Sequence, residues 1–580
     1  MMELAFRDLT IELDESGRRM SVWLAGRALA EDSPLVELWV EGTGALTVDD
    51  MAARASAMPD LLTAELAGGP LRLRVDLMRA AEGIRLSVHC AADWPEGAPL
   101  PTTMRLPWLA ALKLDGAQYR YPGNPAPKRA GGRVLQGHDA YPTPYALFDD
   151  AGLGLSVSFD LPAARLGWDQ LRNQELCAIG TREAMEAHAL KLRVHAAPAL
   201  VAEALLSPLT DGWREAFSLC RARVRARMDF GEYDRPDLAW IRDAALYHFT
   251  YAYGREFFNY ETGRPDIDRL LDEGERFGGY DVLLIWHQYP RLGLDERGQW
   301  DFFDDYPGGL EELKRNVAAA HARGARVMMP FKPWDRAEGD DDRATVRKLC
   351  RVIAETDLDG IFFDTMSTVP LSFRKAVDAV KPGVVFVTEG EPADARSFER
   401  ITCSWDQYWS AAPMPEVNLS RYLFPEHIRH GISRWNLGSR RDMDIERAVF
   451  NGTGLVVWQD VFGAWLPYTQ RQKEAVARAK ALYRRFLGQF RSKDAIPLLP
   501  TPRAGLLCNL FPGEDSTIVT FYNDSALPIE GRLLGIAGDR AVELWQGADV
   551  RIEDGALYGR IGPGATWVVE ITQERGARRV

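Results

Sequence analysis

From about residue 236 the chain alternates apolar runs of strand length with helical patterns, and no other feature restricts its fold as strongly. The runs are ALYHFTYAYG, DVLLIWHQYP, ARVMMPFKPW, GIFFDTM, VVFVTEGE, RITCSWDQYW, VNLSRYLF and GLVVWQD. Eight such runs are the number that closes a parallel barrel. Their near-continuous apolarity suits strands covered on both faces. The helices between them are legible. In GGLEELKRNVAAAHARGARV the residues Leu310, Leu313, Val317 and Ala320 recur at helical spacing, and Gly324 supplies a left-handed stop. An open doubly wound sheet would alternate in the same way, but no glycine-rich phosphate loop accompanies these strands.

On either side the rhythm is different. LRLRVDLMRA, IRLSVHC and LGLSVSFDL alternate with period two, and PTPYALFDDAGLGLSVSF reads as a hairpin. STIVTFYND, AVELWQG and ATWVVEIT repeat the pattern near the C-terminus. The expected architecture is therefore α/β, a central (β/α)₈ TIM barrel over 226–495. An N-terminal β-sandwich with a linker helix covers 1–225, and a C-terminal β-sandwich covers 496–580. A length of 580 residues suits three domains.

Composition narrows the function. A formal net charge of −13 disfavours nucleic acid, which needs a concentrated basic face. No apolar run reaches the length of a membrane span. The start, MMELAFRDLT, lacks the basic and apolar regions of a secretory signal, so a cytoplasmic location is expected. Six scattered cysteines and nine histidines show no metal spacing, so neither metal nor cofactor is expected.

In a barrel of this kind chemistry gathers at the carboxyl ends of the strands. The runs end in carboxylates and indoles, a mixture suited to carbohydrate: acids for catalysis, aromatic faces for the apolar side of a sugar ring. Asp364 directly follows Ile361, Phe362 and Phe363, where an unpaired buried charge would be too costly without a partner or substrate. Glu389 ends the next run in the same way, with Glu391 two residues on and in register. Strands lie about 4.8 Å apart, so acids from adjacent ends reach the roughly 5–5.5 Å of a retaining pair. Asp364 is therefore the expected nucleophile and Glu389 the expected acid/base, with Asp406 and Glu391 as alternatives. His287, Lys332, Trp334, Asp335, Trp405, Trp409, Arg421, Trp458 and Asp460 are the expected substrate-binding residues. Lys332 reads first as a cation that neutralises Asp335 or Asp364, and second as a substrate-binding residue.

These strand-end residues resemble the large group of retaining glycoside hydrolases whose nucleophile is an Asp on barrel strand four. The α-galactosidase, α-glucosidase and α-amylase groups belong to it. The chain is most similar to the endo-α-N-acetylgalactosaminidase family and its uncharacterised relatives, which also join a β-sandwich, a barrel and a C-terminal β-domain. The resemblance implies a nucleophile at Asp364 and an acid/base at Glu389. In groups that place the acid/base after strand six, the matching residue is Asp406. Around Asp364 the sequence reads Phe-Phe-Asp-Thr-Met, without the Lys-Trp-Asp or Trp-x-Asp-Met-Asn-Glu of those groups, so no sugar is carried over. The expected function is that of a retaining α-glycosidase acting on small glycosides or oligosaccharides. The alternatives are a transglycosylase, a hydrolase with a strand-six acid/base, and a non-catalytic carbohydrate-binding protein on a barrel scaffold.

Overall fold

The computed structural model describes residues 1–573 except 96, 111–117, 122–123, 130–144, 151–152, 160–164, 167–189, 211–214, 216–217, 220, 223–224, 227, 288–295, 391, 393–394, 409–419 and 434–440. It divides into two compact units, Met1–Arg227 and Met228–Val580. Half of the expected linker helix over 213–228 lies outside the described residues.

The first unit consists of antiparallel sheets that share one core. Strand Leu71–Ala80 shows how alternation builds it: Leu71, Leu73, Val75 and Leu77 are buried while Arg72 and Arg74 face solvent. The expected hairpin is present as Tyr145–Asp150 paired with Leu153–Phe159.

In the second unit eight parallel strands close a barrel. They are β1 (Leu246–Tyr251), β2 (Val282–Trp286), β3 (Arg326–Phe331), β4 (Gly360–Phe363), β5 (Val385–Thr388), β6 (Cys403–Tyr408), β7 (Ile428–Ser433) and β8 (Gly454–Trp458). Tyr247, Phe249, Leu284, Trp286, Phe362, Val387, Trp405 and Trp458 fill the interior. The helices around the barrel include α1 (Gly309–Ala322), α2 (Asp342–Thr356), α3 (Leu371–Val380), α4 (Arg441–Asn451) and α5 (Gln470–Arg485). Helix α1 buries Leu313, Val317 and Ala320, and Gly324 after it has φ 79°. Thr469 and Gln472 form a capping box that starts α5.

The seventh strand corrects the sequence reading. VNLSRYLF contributes a short helix, Ser420–Leu423, and the strand is IRHGIS. Arg429 and His430 interrupt its apolarity, which is why a search for apolar runs passes over it. Both are buried, and both are satisfied by backbone. Arg429 donates to the carbonyls of Phe424 and His427 at 3.2 and 3.0 Å. His430 Nε2 lies 2.7 Å from the Ala244 carbonyl, and its ring packs at a tilt on Tyr247 with centroids 4.2 Å apart. The ring occupies the space beside Gly454. A Cβ there would meet the imidazole at 2.5 Å and the Ala245 carbonyl at 2.8 Å. Gly454→Ala is expected to destabilise the barrel by about 1–3 kcal/mol, measurable by urea unfolding.

Burial holds His287, His427 and His430 below the ordinary imidazole value, His430 at about 4. Each folds neutral, and its contribution is complete above the unfolded value near 6.5. That contribution is lost as pH falls from there towards the folded value. For His430 the full loss is about 3 kcal/mol. Thermal midpoints are therefore expected to fall steadily between about pH 6.5 and 4.

The amino ends of the strands carry acids with a structural role. Asp281, just before β2, accepts from the Ala245 and Leu246 amides at 2.8 and 2.9 Å. It also meets Lys480 and Arg484 of α5 at 2.9 and 2.5 Å. Asp359, just before β4, accepts from the Val327 amide at 2.9 Å and meets His321 at 2.7 Å and Arg326 at 3.0 Å.

Two sheets follow the barrel. One contains Leu506–Pro512, Ser516–Asn523, Arg540–Glu543 and Thr566–Thr572, the other Ile529–Gly535, Arg551–Glu553 and Ala556–Ile561. Cys508, Phe521, Leu533, Leu557 and Trp567 form their common core. Buried Asn509 and Thr520 donate to the Phe450 carbonyl of α4 at 3.2 and 2.7 Å, which fixes these sheets to the barrel.

Candidate active site

Strand register sets one layer of chemistry at the barrel mouth. Phe331 pairs with Phe363, and Phe363 pairs with Thr388. One residue further along each strand stand Lys332, Asp364 and Glu389. The ladder continues into this layer: the Asp364 amide donates to the Phe331 carbonyl at 2.9 Å and the Glu389 amide to Phe363 at 3.2 Å. Asp364 shares its face with Phe362, and Glu389 with Val387, both in the barrel interior. The two candidate catalytic acids therefore rise from adjacent strands on the inward face. Asp364 is 6% exposed and Glu389 is half-buried.

A single residue ties them together. Thr365 has φ 56°, a left-handed conformation that is strained for a β-branched side chain. That turn aims its amide at Glu389, whose Oε2 accepts at 2.8 Å. Thr365→Gly is expected to keep this hydrogen bond while relieving the strain. The thermal midpoint should rise or hold, within about 1 kcal/mol of stability.

The end of β3 is sealed. Lys332 and Asp335 form a 2.7 Å ion pair with both side chains fully buried. Burial lowers the lysine pKa, against the opposing pull of Asp335 and Asp364. Gln299 clamps this turn. Its Nε2 donates to the carbonyls of Lys332 and Asp335 at 2.7 and 3.0 Å, and its Oε1 accepts from the Lys332 amide at 2.8 Å. His287 is fully buried beside the pair, stacked on Trp300 at 5.7 Å. Neutralisation, one of the two roles expected for Lys332, is the one this geometry displays. Trp334 turns outward and is 44% exposed, with the Lys332 ammonium 5.9 Å from its ring centroid.

Trp405 and Trp458 belong to the interior. Trp405 packs on Phe362 at 4.2 Å, and its buried Nε1 has no hydrogen-bond partner among the described residues. Trp458 packs on Phe249 at 4.6 Å and donates to the Asp460 carbonyl at 2.8 Å. Asp460 is buried after β8, and its Oδ1 has no partner among the described residues. Burial raises its carboxyl pKa, and Glu256 adds to the effect. Glu256 in turn lies 3.0 Å from both His248 and Gln459.

Arg421 does not join this group. It sits on the helix before β7, and donates to the carbonyls of Gly452 and Phe490 at 2.8 and 2.5 Å. Gly452 precedes β8, so Arg421 lies at the amino ends of the strands. Its expected place at the mouth came from the misassigned seventh run. Glu391 and Trp409 lie outside the described residues, and Asp406 is described by its backbone alone, paired with Gly431. Sequence reasoning passed over Gln299, Thr365 and Glu256. A polar residue that acts 33 positions away and a strained turn leave no local pattern. Among the described residues no cluster of acids, histidines or cysteines is arranged to hold a metal ion. No helix among them is long and apolar enough to cross a membrane.

Neither a family model nor a curated protein sequence matches the chain. Its fold does match solved structures. The α-N-acetylgalactosaminidase NagBb of Bifidobacterium bifidum, solved with GalNAc, is 12% identical and superposes with a TM-score of 0.61. The match covers 90% of this chain and 98% of NagBb. The same enzyme in its Gal-NHAc-DNJ complex gives a TM-score of 0.60, also at 12% identity, with the same coverage of 90% and 98%. An Anoxybacillus α-amylase is 16% identical and matches 58% of this chain and 99% of its own, with a TM-score of 0.43. The NagBb likeness shows a shared fold across nearly the whole chain.

Proposed function

We propose that this protein is a retaining glycoside hydrolase that acts on α-glycosides of small saccharides or glycoconjugates. The observation that carries this reading is the pair Asp364 and Glu389 on adjacent strand ends, joined through the Thr365 amide. A sugar-binding protein needs no such pair. Asp364 attacks the anomeric carbon while Glu389 protonates the departing oxygen. Glu389 then takes a proton from water, which releases the sugar from Asp364 with its configuration retained. Thr365 orients Glu389 by holding one of its carboxyl oxygens. The exposed ring of Trp334 suits the apolar face of a sugar. NagBb directs the choice of donor, so N-acetyl-α-galactosaminides stand first among the sugars to test.

The test is release of p-nitrophenol from a panel of α- and β-glycosides, including galactosides, glucosides, N-acetylhexosaminides and charged sugars. Turnover of an α-glycoside is the expected result. Turnover of β-glycosides alone, or tight binding of sugars without hydrolysis, would contradict the reading.

A further inference from the structure

Three aromatic rings stand open to solvent among the described residues of the second unit: Tyr260 at 68%, Trp334 at 44% and Phe462 at 56% exposure. Each lies on a loop that leaves the carboxyl end of a barrel strand, after β1, β3 and β8 respectively. Phe462 is the one held there against its own backbone preference. It begins the two-residue turn of a hairpin between Asp460–Val461 and Ala464–Trp465. Phe462 has φ 49° and Gly463 has φ 86°. Such turns favour Asn or Gly, and a bulky residue at positive φ is strained. Burial does not explain its retention, because most of the ring is exposed.

The ring has a defined place relative to the catalytic acids. It meets Trp458 edge-on at 5.0 Å, and Trp458 meets Phe249 at 4.6 Å. Phe249 meets Trp405 at 6.1 Å, and Trp405 meets Phe362 at 4.2 Å, two residues before Asp364. A continuous path of rings thus crosses the barrel interior from β4 to β8, which are diametrically opposed in the closed barrel. Two residues before Phe462, buried Asp460 keeps one oxygen without a partner among the described residues. Along the path, the buried Trp405 Nε1 also lacks one among the described residues. An acceptor, a donor and an apolar face are what a sugar ring requires.

We propose that Phe462 and Asp460 form the wall that receives the far end of the glycone, the sugar whose anomeric carbon meets Asp364. This rests on the retaining-glycosidase reading. With the anomeric carbon at β4 and the leaving group directed to Glu389 on β5, the remote end of that ring points towards β8. Phe462 packs on its C–H face, and Asp460 accepts from one of its hydroxyl groups. Backbone strain at Phe462 is then tolerated for the sake of binding.

Phe462→Gly separates this role from a structural one, because glycine relieves the positive φ while removing the ring. The substrates are the α-glycosyl fluoride and the p-nitrophenyl α-glycoside of the sugar turned over fastest in the panel. Phe462→Gly is expected to unfold at the wild-type temperature or above, with kcat/KM lowered about tenfold for both substrates alike. Phe462→Trp should keep most of the activity. Unchanged kcat/KM in Phe462→Gly would overturn the proposal. So would a loss confined to the p-nitrophenyl substrate, which would put the ring against the leaving group. A fall in thermal midpoint parallel to the loss of activity would do the same. Asp364→Asn on the same two substrates reports separately on the underlying reading: wild-type rates in that variant would mean that the reading itself has failed.

Discussion

Asp364→Asn is expected to fold as the wild type does and to hydrolyse its best α-glycoside at least about 10⁴-fold more slowly. The amide is nearly isosteric with the carboxylate. The backbone hydrogen bond of residue 364 to Phe331 does not involve the side chain. Lys332 keeps its own partner, because its 2.7 Å ion pair is with Asp335. What the substitution removes is the proposed nucleophile. Asp364→Ala should lose as much, and added azide should restore part of the rate by taking the nucleophile's place. Circular dichroism and thermal unfolding check the fold, and p-nitrophenol release checks the rate. A variant within tenfold of wild type would take the central role away from Asp364.

The second large effect is on stability. Asp281→Ala is expected to destabilise the barrel by about 3–5 kcal/mol. Asp281 is 8% exposed and is shared by two backbone amides, Lys480 and Arg484. Its loss leaves two amides short of an acceptor and the Lys480 ammonium buried without its carboxylate. The residue also joins the start of β1 to that of β2 and to α5, so the damage falls where the ring of helices closes. Urea unfolding should show a lower midpoint. A shift below 1 kcal/mol would mean that the carbonyls of Gly278 and Gly279, which also accept from Lys480, suffice to hold it.

Asp281 and Asp364 show what a sequence carries about such a barrel and what it does not. Both are acids beside an apolar run. One precedes its run and is absorbed by amides and cations; the other follows it and opens towards the mouth. Strand direction separates the two roles, and that direction follows from the strand–helix rhythm. For the same reason the positions of Asp364 and Glu389 at strand ends were legible: each follows a short, mostly apolar run with a preceding helix. β7 was not legible, because Arg429 and His430 lie inside it and their burial depends on carbonyls supplied by other segments. Arg421 was misplaced with it. Lys332 and Asp335 lie three residues apart, and their pairing could be read from spacing. Gln299 could not, since its three hydrogen bonds form only once β2 and β3 are neighbours. Phe462 has no periodic signal either; its meaning lies in a backbone angle and in the rings behind it.

The most direct test of the central claim is to trap the glycosyl-enzyme. The protein is incubated with a 2-deoxy-2-fluoro glycosyl fluoride of its preferred sugar or, for a 2-acetamido sugar, its 5-fluoro counterpart. It is then digested and the labelled peptide is sequenced by mass spectrometry. The account predicts one sugar per chain, carried by Asp364 in the peptide that contains GIFFDTM. A label on Asp406 or another acid, or turnover with inversion and no label, would contradict it.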